Sequence, residues 1–192
     1  MRYTRLWMSL TIVFVLSFAV LGYYGKEIYH VMPPIPKRVV TNTCHVLFTE
    51  QNIKEGQNVW QSMGGQEVGS VWGHGAYVAP DWTADWLHRE CVWILNTWAQ
   101  AQYGKTYDAL DEETKAALQT RLQKEMRTNT YDPNTGDLVI SPLRAQAFAA
   151  ISQHYYSLFT NDPKLANLRD AYAIHENAIK NPNLVPSLNA FL

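Results

Sequence analysis

The sequence predicts a mainly α protein: one N-terminal transmembrane helix followed by a helical extracytoplasmic domain. Three observations predict it. Twenty consecutive residues, Leu6–Gly25, carry no charge. Beyond them, apolar residues recur at helical spacing in stretches that open on Ser, Thr or Asp and stop near Gly or Pro. The 192 residues, less the membrane stretch, leave about one domain of ordinary size, enough to bury a single core.

The membrane stretch comes first in the chain. Twenty helical residues span ~30 Å, the thickness of the hydrocarbon layer. Trp7 stands at one end and Tyr23, Tyr24 and Tyr29 at the other, where interfacial aromatics belong. A cleavable signal peptide has a shorter apolar core, about 7–15 residues, and small residues at its cut. "LGYYGKEIYH" offers no such site, so residues 1–30 are expected to stay as an anchor in membrane lipid. Arg2 and Arg5 put the N-terminus in the cytoplasm and the rest outside, although Lys26, Lys37 and Arg38 argue weakly the other way.

Residues 31–47, with Pro33, Pro34 and Pro36, read as an extended lead into a domain over 48–182. A helix opens after Thr49 and stops at Gly64 or Gly65. Residues 65–80, rich in Gly, form a loop. A second helix runs from Asp81 to about Gln102; Trp82, Trp86, Val92, Trp93 and Trp98 predict burial on more than one side. "DEETKAALQTRLQKEMRTN" has acids early and bases late, as the helix dipole prefers. "TYDPNTGDLVIS" is a turn or small hairpin. Ser141-Pro142 and Asp162-Pro163 each start a helix, the second expected to end near Asn181. Residues 183–192 turn apolar and predict the start of a second membrane helix that continues past Leu192.

Composition removes some function classes. Net charge is −1 with no basic stripe, which excludes nucleic acid as a partner. Charged residues make up 17%, below the ~25% of soluble domains, and there are 7 Trp and 11 Tyr. That balance fits a chain partly in lipid or covered by another protein. Covalent haem needs Cys-x-x-Cys-His, and Cys44-His45 has Thr at position 41. No two of the six His stand at i, i+3 or i, i+4 on a helix. Cys44, His45, His88 and Cys91 offer a Cys2His2 zinc alternative without zinc-finger spacing; a disulfide or two buried inert thiols are the other readings. No nucleophile–base pair and no phosphate loop are present, so no catalytic residue is assigned. The loop "WGHGAY" offers Gly carbonyls and the Tyr77 hydroxyl, hard ligands suited to Ca²⁺ but too few alone. The competing reading is a turn that packs Tyr77 into the core.

"EGQNVWQSMGGQEVGSVWGHGAYVAPDWTADWLHRE", and most specifically Gly73–Glu90, resembles the N-terminal region of the quinol-dependent nitric oxide reductases. The resemblance extends over the whole chain. It implies a bacterial inner-membrane protein with the domain in the periplasm, fused to or partnered by a haem-bearing membrane region. That region would hold haem b and a haem b–non-haem iron centre, and would reduce NO to N2O with electrons from quinol bound there. The stretch also resembles the cytochrome c subunit of cytochrome-dependent nitric oxide reductases, in which a CxxCH precedes a "GEGAYYAPE"-like segment. Here Ser62-Met63-Gly64-Gly65-Gln66 stands in that place. The implied fold is a cytochrome-c-like domain without haem c, its vacated site filled by Trp60, Trp72 and Met63. The resemblance further implies that Gly75 and Tyr77 help bind a calcium shared with the haem propionates of the other region. A non-enzymatic membrane-anchored scaffold, with the Trp-rich helix as its interface, is the alternative.

Overall fold

A computed structural model describes residues 2–176 and 178–192. It divides into two units, one ending at Ile35 and one spanning Pro36–Leu192. The first is the helix α1, Arg2–Val31, which contains a stretch of mean hydropathy 2.0 and is long and apolar enough to cross a membrane. Its apolar side chains, among them Leu6, Trp7, Phe14, Phe18 and Leu21, are exposed all round. A helix apolar on every face has lipid or a large core as its natural surroundings.

The second unit is mostly helical, with a small sheet. Strands β1 (Arg38–Thr41) and β2 (Val46–Thr49) pair antiparallel. Strand β4 (Asp137–Ile140) lies parallel to β1, and β3 (Tyr131–Asp132) closes a hairpin on β4, in the order β2-β1-β4-β3. The hairpin matches "TYDPNTGDLVIS". The β1–β4 pairing joins segments 99 residues apart, held by two bonds from Arg38 to the Asp137 carboxylate at 2.9 and 2.6 Å. The expected extended lead over 31–47 thus differs from what is observed: from Pro36 onward this stretch belongs to the folded unit, with Val39 and Val40 buried.

Helix α2 spans Glu50–Ser62. Asn52 Oδ1 accepts from both the backbone N–H and the hydroxyl of Thr49, at 2.9 Å each, which fixes its start. Helix α3, Trp82–Tyr103, is capped by Asp81 and ended by Gly104 in the left-handed region (φ 64°). Its buried residues are Trp82, Trp86, Glu90, Ile94, Leu95, Trp98 and Ala99, a single stripe. Leu87 (48% exposed) and Val92 (41%) face outward, which corrects the expectation of burial on more than one side. Helix α4 is Glu112–Arg127, capped by Asp111, and its Arg121 stacks 4.0 Å over the Trp98 ring. Helix α5, Pro142–Phe159, starts at the Ser141 cap as expected. Helix α6, Ala166–Ala171, stops ten residues short of Asn181, because Ala173 turns to φ 53°.

Helix α7, Val185–Phe191, packs on α2. Gly56 permits this: a Cβ there would overlap the Ser187 carbonyl. Val185 and Leu188 are fully buried. Within residues 183–192, where the sequence led us to expect the start of a second membrane helix, these apolar side chains pack into the core of this unit.

At the centre of that core is Trp82, fully buried. Four rings surround it, with centroid distances of 6.2 Å to Trp60, 6.1 Å to Tyr155, 5.7 Å to Phe159 and 5.6 Å to Tyr172. Its Nε1–H donates to the Val68 carbonyl at 2.9 Å, so the one polar atom of the ring is satisfied. Gly65 and Gly69 leave room for the two indoles: a Cβ at 65 would overlap Trp60, and one at 69 would stand 2.5 Å from Trp82 Nε1. Replacing Trp82 by Ala in the full chain is expected to cost about 3–5 kcal/mol in urea unfolding. Leu87→Ser, on the exposed face of the same helix, should stay within about 0.5 kcal/mol.

Candidate functional site

The segment 68–81 is irregular, yet it is closely tied. Ser70 and Asp81 form an isolated bridge: Ser70 N–H donates to the Pro80 carbonyl at 3.4 Å, and Trp82 N–H to the Ser70 carbonyl at 2.8 Å. Asp81 organises everything between. Its Oδ1 accepts from Ala84 N–H at 3.0 Å, capping α3. Its Oδ2 accepts from the Ser70 hydroxyl at 2.7 Å and from Gly73 N–H at 2.6 Å. The Ser70 oxygen in turn accepts from Gly75 N–H at 2.8 Å. Burial raises the Asp81 pKa, but the bonds from Ser70, Gly73 and Ala84 outweigh it and hold the carboxyl below its ordinary value.

This relay places the two residues singled out for metal binding. Gly75 has φ 75°, and a Cβ there would stand 3.0 Å from Asp81 N and 3.1 Å from the Ala79 carbonyl, so any side chain would be strained and crowded at this position. Ala76 N–H donates to the Ala79 carbonyl at 2.8 Å, closing a tight turn that carries Tyr77 at its tip. Tyr77 is fully exposed. That overturns the reading in which the turn packs Tyr77 into the core. Gly75 and Tyr77 therefore share one turn, with the hydroxyl projecting away from the domain.

Beside the loop, where the sequence has Ser62–Gln66, α2 ends and Gly64 turns to φ 71°. Trp60 is buried and Met63 partly buried against the core. Trp72 is not: at φ 55° it is 86% exposed and lines a cleft of about 470 Å³ with Gln57, Gln66 and Ser70. The expectation that Trp72 fills the interior is corrected. The positive φ, together with Trp72 N–H reaching the Thr83 hydroxyl at 3.3 Å, turns the backbone outward.

The remaining candidates disperse. Cys44 is exposed in the turn after β1 and Cys91 is half-buried on α3; both are free thiols, so the expectation of two buried thiols holds for neither end in full. Burial, then the Glu90 charge, pushes the Cys91 thiol up, away from reactivity. Among the described residues no three of His, Cys, Asp and Glu gather at metal-binding spacing, and Cys44, His45, His88 and Cys91 are not brought together. Two polar pairs that sequence reasoning missed lie on the inner side of α3. Tyr155 donates to Asp85 at 2.6 Å, and Asp85 also takes Arg89 at 2.7 Å. Burial, then the bond to Asp85, pushes the Tyr155 hydroxyl well above the ordinary phenol value. Glu90, buried, takes Arg144 at 2.7 Å.

The family described as the cytochrome c-like domain of the nitric oxide reductase polypeptide NorB matches residues 36–192. The chain belongs to that family. No curated protein matches it. The matched span coincides with the compact unit that begins at Pro36, so the cytochrome c-like domain is the part built around Trp82 and the 68–81 loop. Within it, the residue that sequence reasoning left out is Asp81 itself. Asp81 was visible as a helix cap, but its partner Ser70 lies 11 residues away, beyond any local pattern.

Asp81→Ala removes the cap and the relay together. The cap alone is worth about 0.5–2 kcal/mol. Hydrogen exchange at the Gly73 and Gly75 amides should speed up in the same variant. Because the folded pKa is lowered, the contribution is fully present above the unfolded carboxyl value of about 3.9 and is lost as pH falls through the folded value. The stability gap between wild type and Asp81→Ala should therefore be widest at neutral pH and close in strong acid.

Proposed function

We propose that this chain is the membrane-anchored, haem-free cytochrome-c-like part of a quinol-dependent nitric oxide reductase, seated on the outer side of the haem-bearing region. One observation carries the reading. In a family named for a cytochrome c-like domain, the chain has no Cys-x-x-Cys-His, Ser62-Met63-Gly64-Gly65-Gln66 stands where the resemblance places that motif, and the interior beside it is packed with Trp60 and Trp82. These residues do not fit a covalent haem: no thiol stands at either attachment position, and Trp82 is enclosed by four rings. A domain without a redox centre does not pass electrons inward from a soluble cytochrome. Electrons then enter the haem-bearing region from quinol in the membrane, and α1 serves as an anchor with its N-terminus in the cytoplasm and the domain in the periplasm.

The same reading gives Gly75 and Tyr77 a calcium shared with the haem-bearing region. The chemistry fits in part. A backbone carbonyl and a phenol oxygen are hard donors, and the exposed turn presents Tyr77 to a partner. Calcium takes about six to eight oxygens, so the partner region has to supply carboxylates or propionates. Bound there, the ion supplies positive charge against the propionates and fixes the distance between the two bodies.

Purified full-length reductase decides the first part. Turnover of NO is expected with a reduced quinol and not with reduced cytochrome c, and haem staining of a denaturing gel should leave the polypeptide unstained. Turnover driven by cytochrome c, or a stained band, sinks the reading. For the calcium, Tyr77→Phe should lose the ion during chelator dialysis faster than wild type, by elemental analysis. Its unfolding should shift by no more than about 0.5 kcal/mol, because Tyr77 touches nothing in the core. Equal calcium retention in both proteins removes Tyr77 from the site.

A further inference from the structure

The rings of the core form an unbroken series from the surface to a buried phenol. Tyr172 is half-buried and lies 5.6 Å from Trp82. Trp60 lines the cleft that Trp72 also lines, and lies 6.2 Å from Trp82. Trp82 is 6.1 Å from Tyr155, and Tyr155 stacks on Trp86 at 5.1 Å. Indole and phenol are the aromatic side chains that give up one electron most readily, and at these spacings an electron passes between neighbouring rings. Trp82 and Tyr155 are both fully buried, but their polar atoms differ. Trp82 Nε1–H donates to the Val68 carbonyl, a poor acceptor of a whole proton. The Tyr155 hydroxyl donates to the Asp85 carboxylate at 2.6 Å, which has a place for one. A phenol that loses an electron becomes a strong acid. Of the two, Tyr155 is therefore the ring on which the loss of an electron is best accommodated.

We propose that this ring series is a trap for outer-sphere one-electron oxidants, with Tyr155 as its terminus and Asp85 as its proton acceptor. An oxidant at the Tyr172 or Trp60 edge takes one electron from that ring and is itself reduced. Trp82 makes good the loss, and Tyr155 in turn restores Trp82. As Tyr155 gives up its electron, its O–H bond breaks and the proton moves along the hydrogen bond to Asp85 Oδ2. Arg89 bonds the same oxygen at 2.7 Å and fixes the orientation of the carboxylate. The sum is one electron on the oxidant, one proton on Asp85, a neutral Tyr155 radical and every other ring as it began. An external one-electron donor reverses the sequence: the electron returns through Trp82, and Asp85 gives the proton back. Burial keeps the Tyr155 radical from meeting a second phenol, with which it would couple. These rings release electrons to a strong oxidant and accept none, so the trap is compatible with a domain that takes no electrons from a soluble cytochrome. It depends on neither quinol nor calcium.

The test is flash-quench oxidation of the full chain in detergent, with photogenerated ruthenium(III) tris-bipyridine as the oxidant and electron paramagnetic resonance as the readout. A long-lived tyrosyl signal is expected. It should be lost in Tyr155→Phe and kept in Tyr103→Phe, whose ring is exposed at the end of α3. Asp85→Asn offers the proton no place and should lose the signal as well. Trp82→Phe should slow its appearance, followed by transient absorption. Ascorbate should remove the signal and return the chain at its original mass. Near-UV circular dichroism checks that each variant keeps its packed core. Where one does not, the wild type decides: after exchange in D2O the radical should show the coupling of a hydrogen-bonded deuteron. A long-lived tyrosyl signal that survives in Tyr155→Phe, a signal confined to tryptophan, an unchanged rate in Trp82→Phe, or a radical without that deuteron coupling overturns the proposal.

Discussion

The compact unit from Pro36 onward depends on the first turn of α3, where two adjacent residues work in opposite directions. Trp82 points inward and is the hub of the aromatic core. Asp81 points outward, caps the helix and gathers Ser70, Gly73 and, through Ser70, Gly75. An indole buries on the order of 150–250 Å², so Trp82 anchors the helix against α5 by area alone. A cap carboxylate is worth far less in energy, but it determines geometry. Because the two are neighbours on one helix end, the shape of the 68–81 loop is tied to the packing of the core. Gly65 and Gly69 belong to the same constraint, since any side chain at either would displace an indole.

Polar groups on the inner side of α3 follow from the same crowding. Tyr155 stacks on Trp86 at 5.1 Å and 7°, which forces its hydroxyl into a region closed to water. Asp85 is the acceptor that makes this tolerable, and Arg89 pairs with the same carboxylate from the next turn. Glu90 and Arg144 repeat the arrangement one turn on, linking α3 to α5. Losing one partner of such a pair costs more than the pair contributes, because the other is left buried without a bond. These contacts set the rotation of α3 about its axis, and so the direction in which Leu87 and Val92 face solvent.

What was legible in the sequence was local. Asp81 and Ser141-Pro142 announce helix starts through chemistry that acts over three residues, and both caps are observed. The N-terminal apolar helix and the 131–140 hairpin were equally plain. What was not legible depended on distant partners. β1 becomes a strand because β4, nearly a hundred residues later, lies beside it. Residues 183–192 read as a mostly apolar stretch, and only the packing on Gly56 shows that side chains such as Val185 and Leu188 serve the core. The size and apolar character of Trp72 and Val92 predict the interior for both; a backbone turn and the rotation of a helix put them outside. In the candidate site, the Gly75–Tyr77 turn was visible as a motif, while the carboxylate that shapes it was not.

Exposed aromatic residues on a rigid loop differ in meaning from exposed residues on a floppy one. Trp72 and Tyr77 are held at the surface by a backbone whose amides at 72, 73, 75 and 76 are each bonded to named partners. Ordering a loop when a partner arrives costs binding energy, and here that cost is met when the domain folds. Aromatic side chains with few rotatable bonds are also the residues that carry most of the energy at protein interfaces. A domain that fills its own interior with tryptophan and holds a tyrosine outward on a tight glycine turn has that turn ready for another body. In the assembly we propose, that body is the haem-bearing region of the reductase.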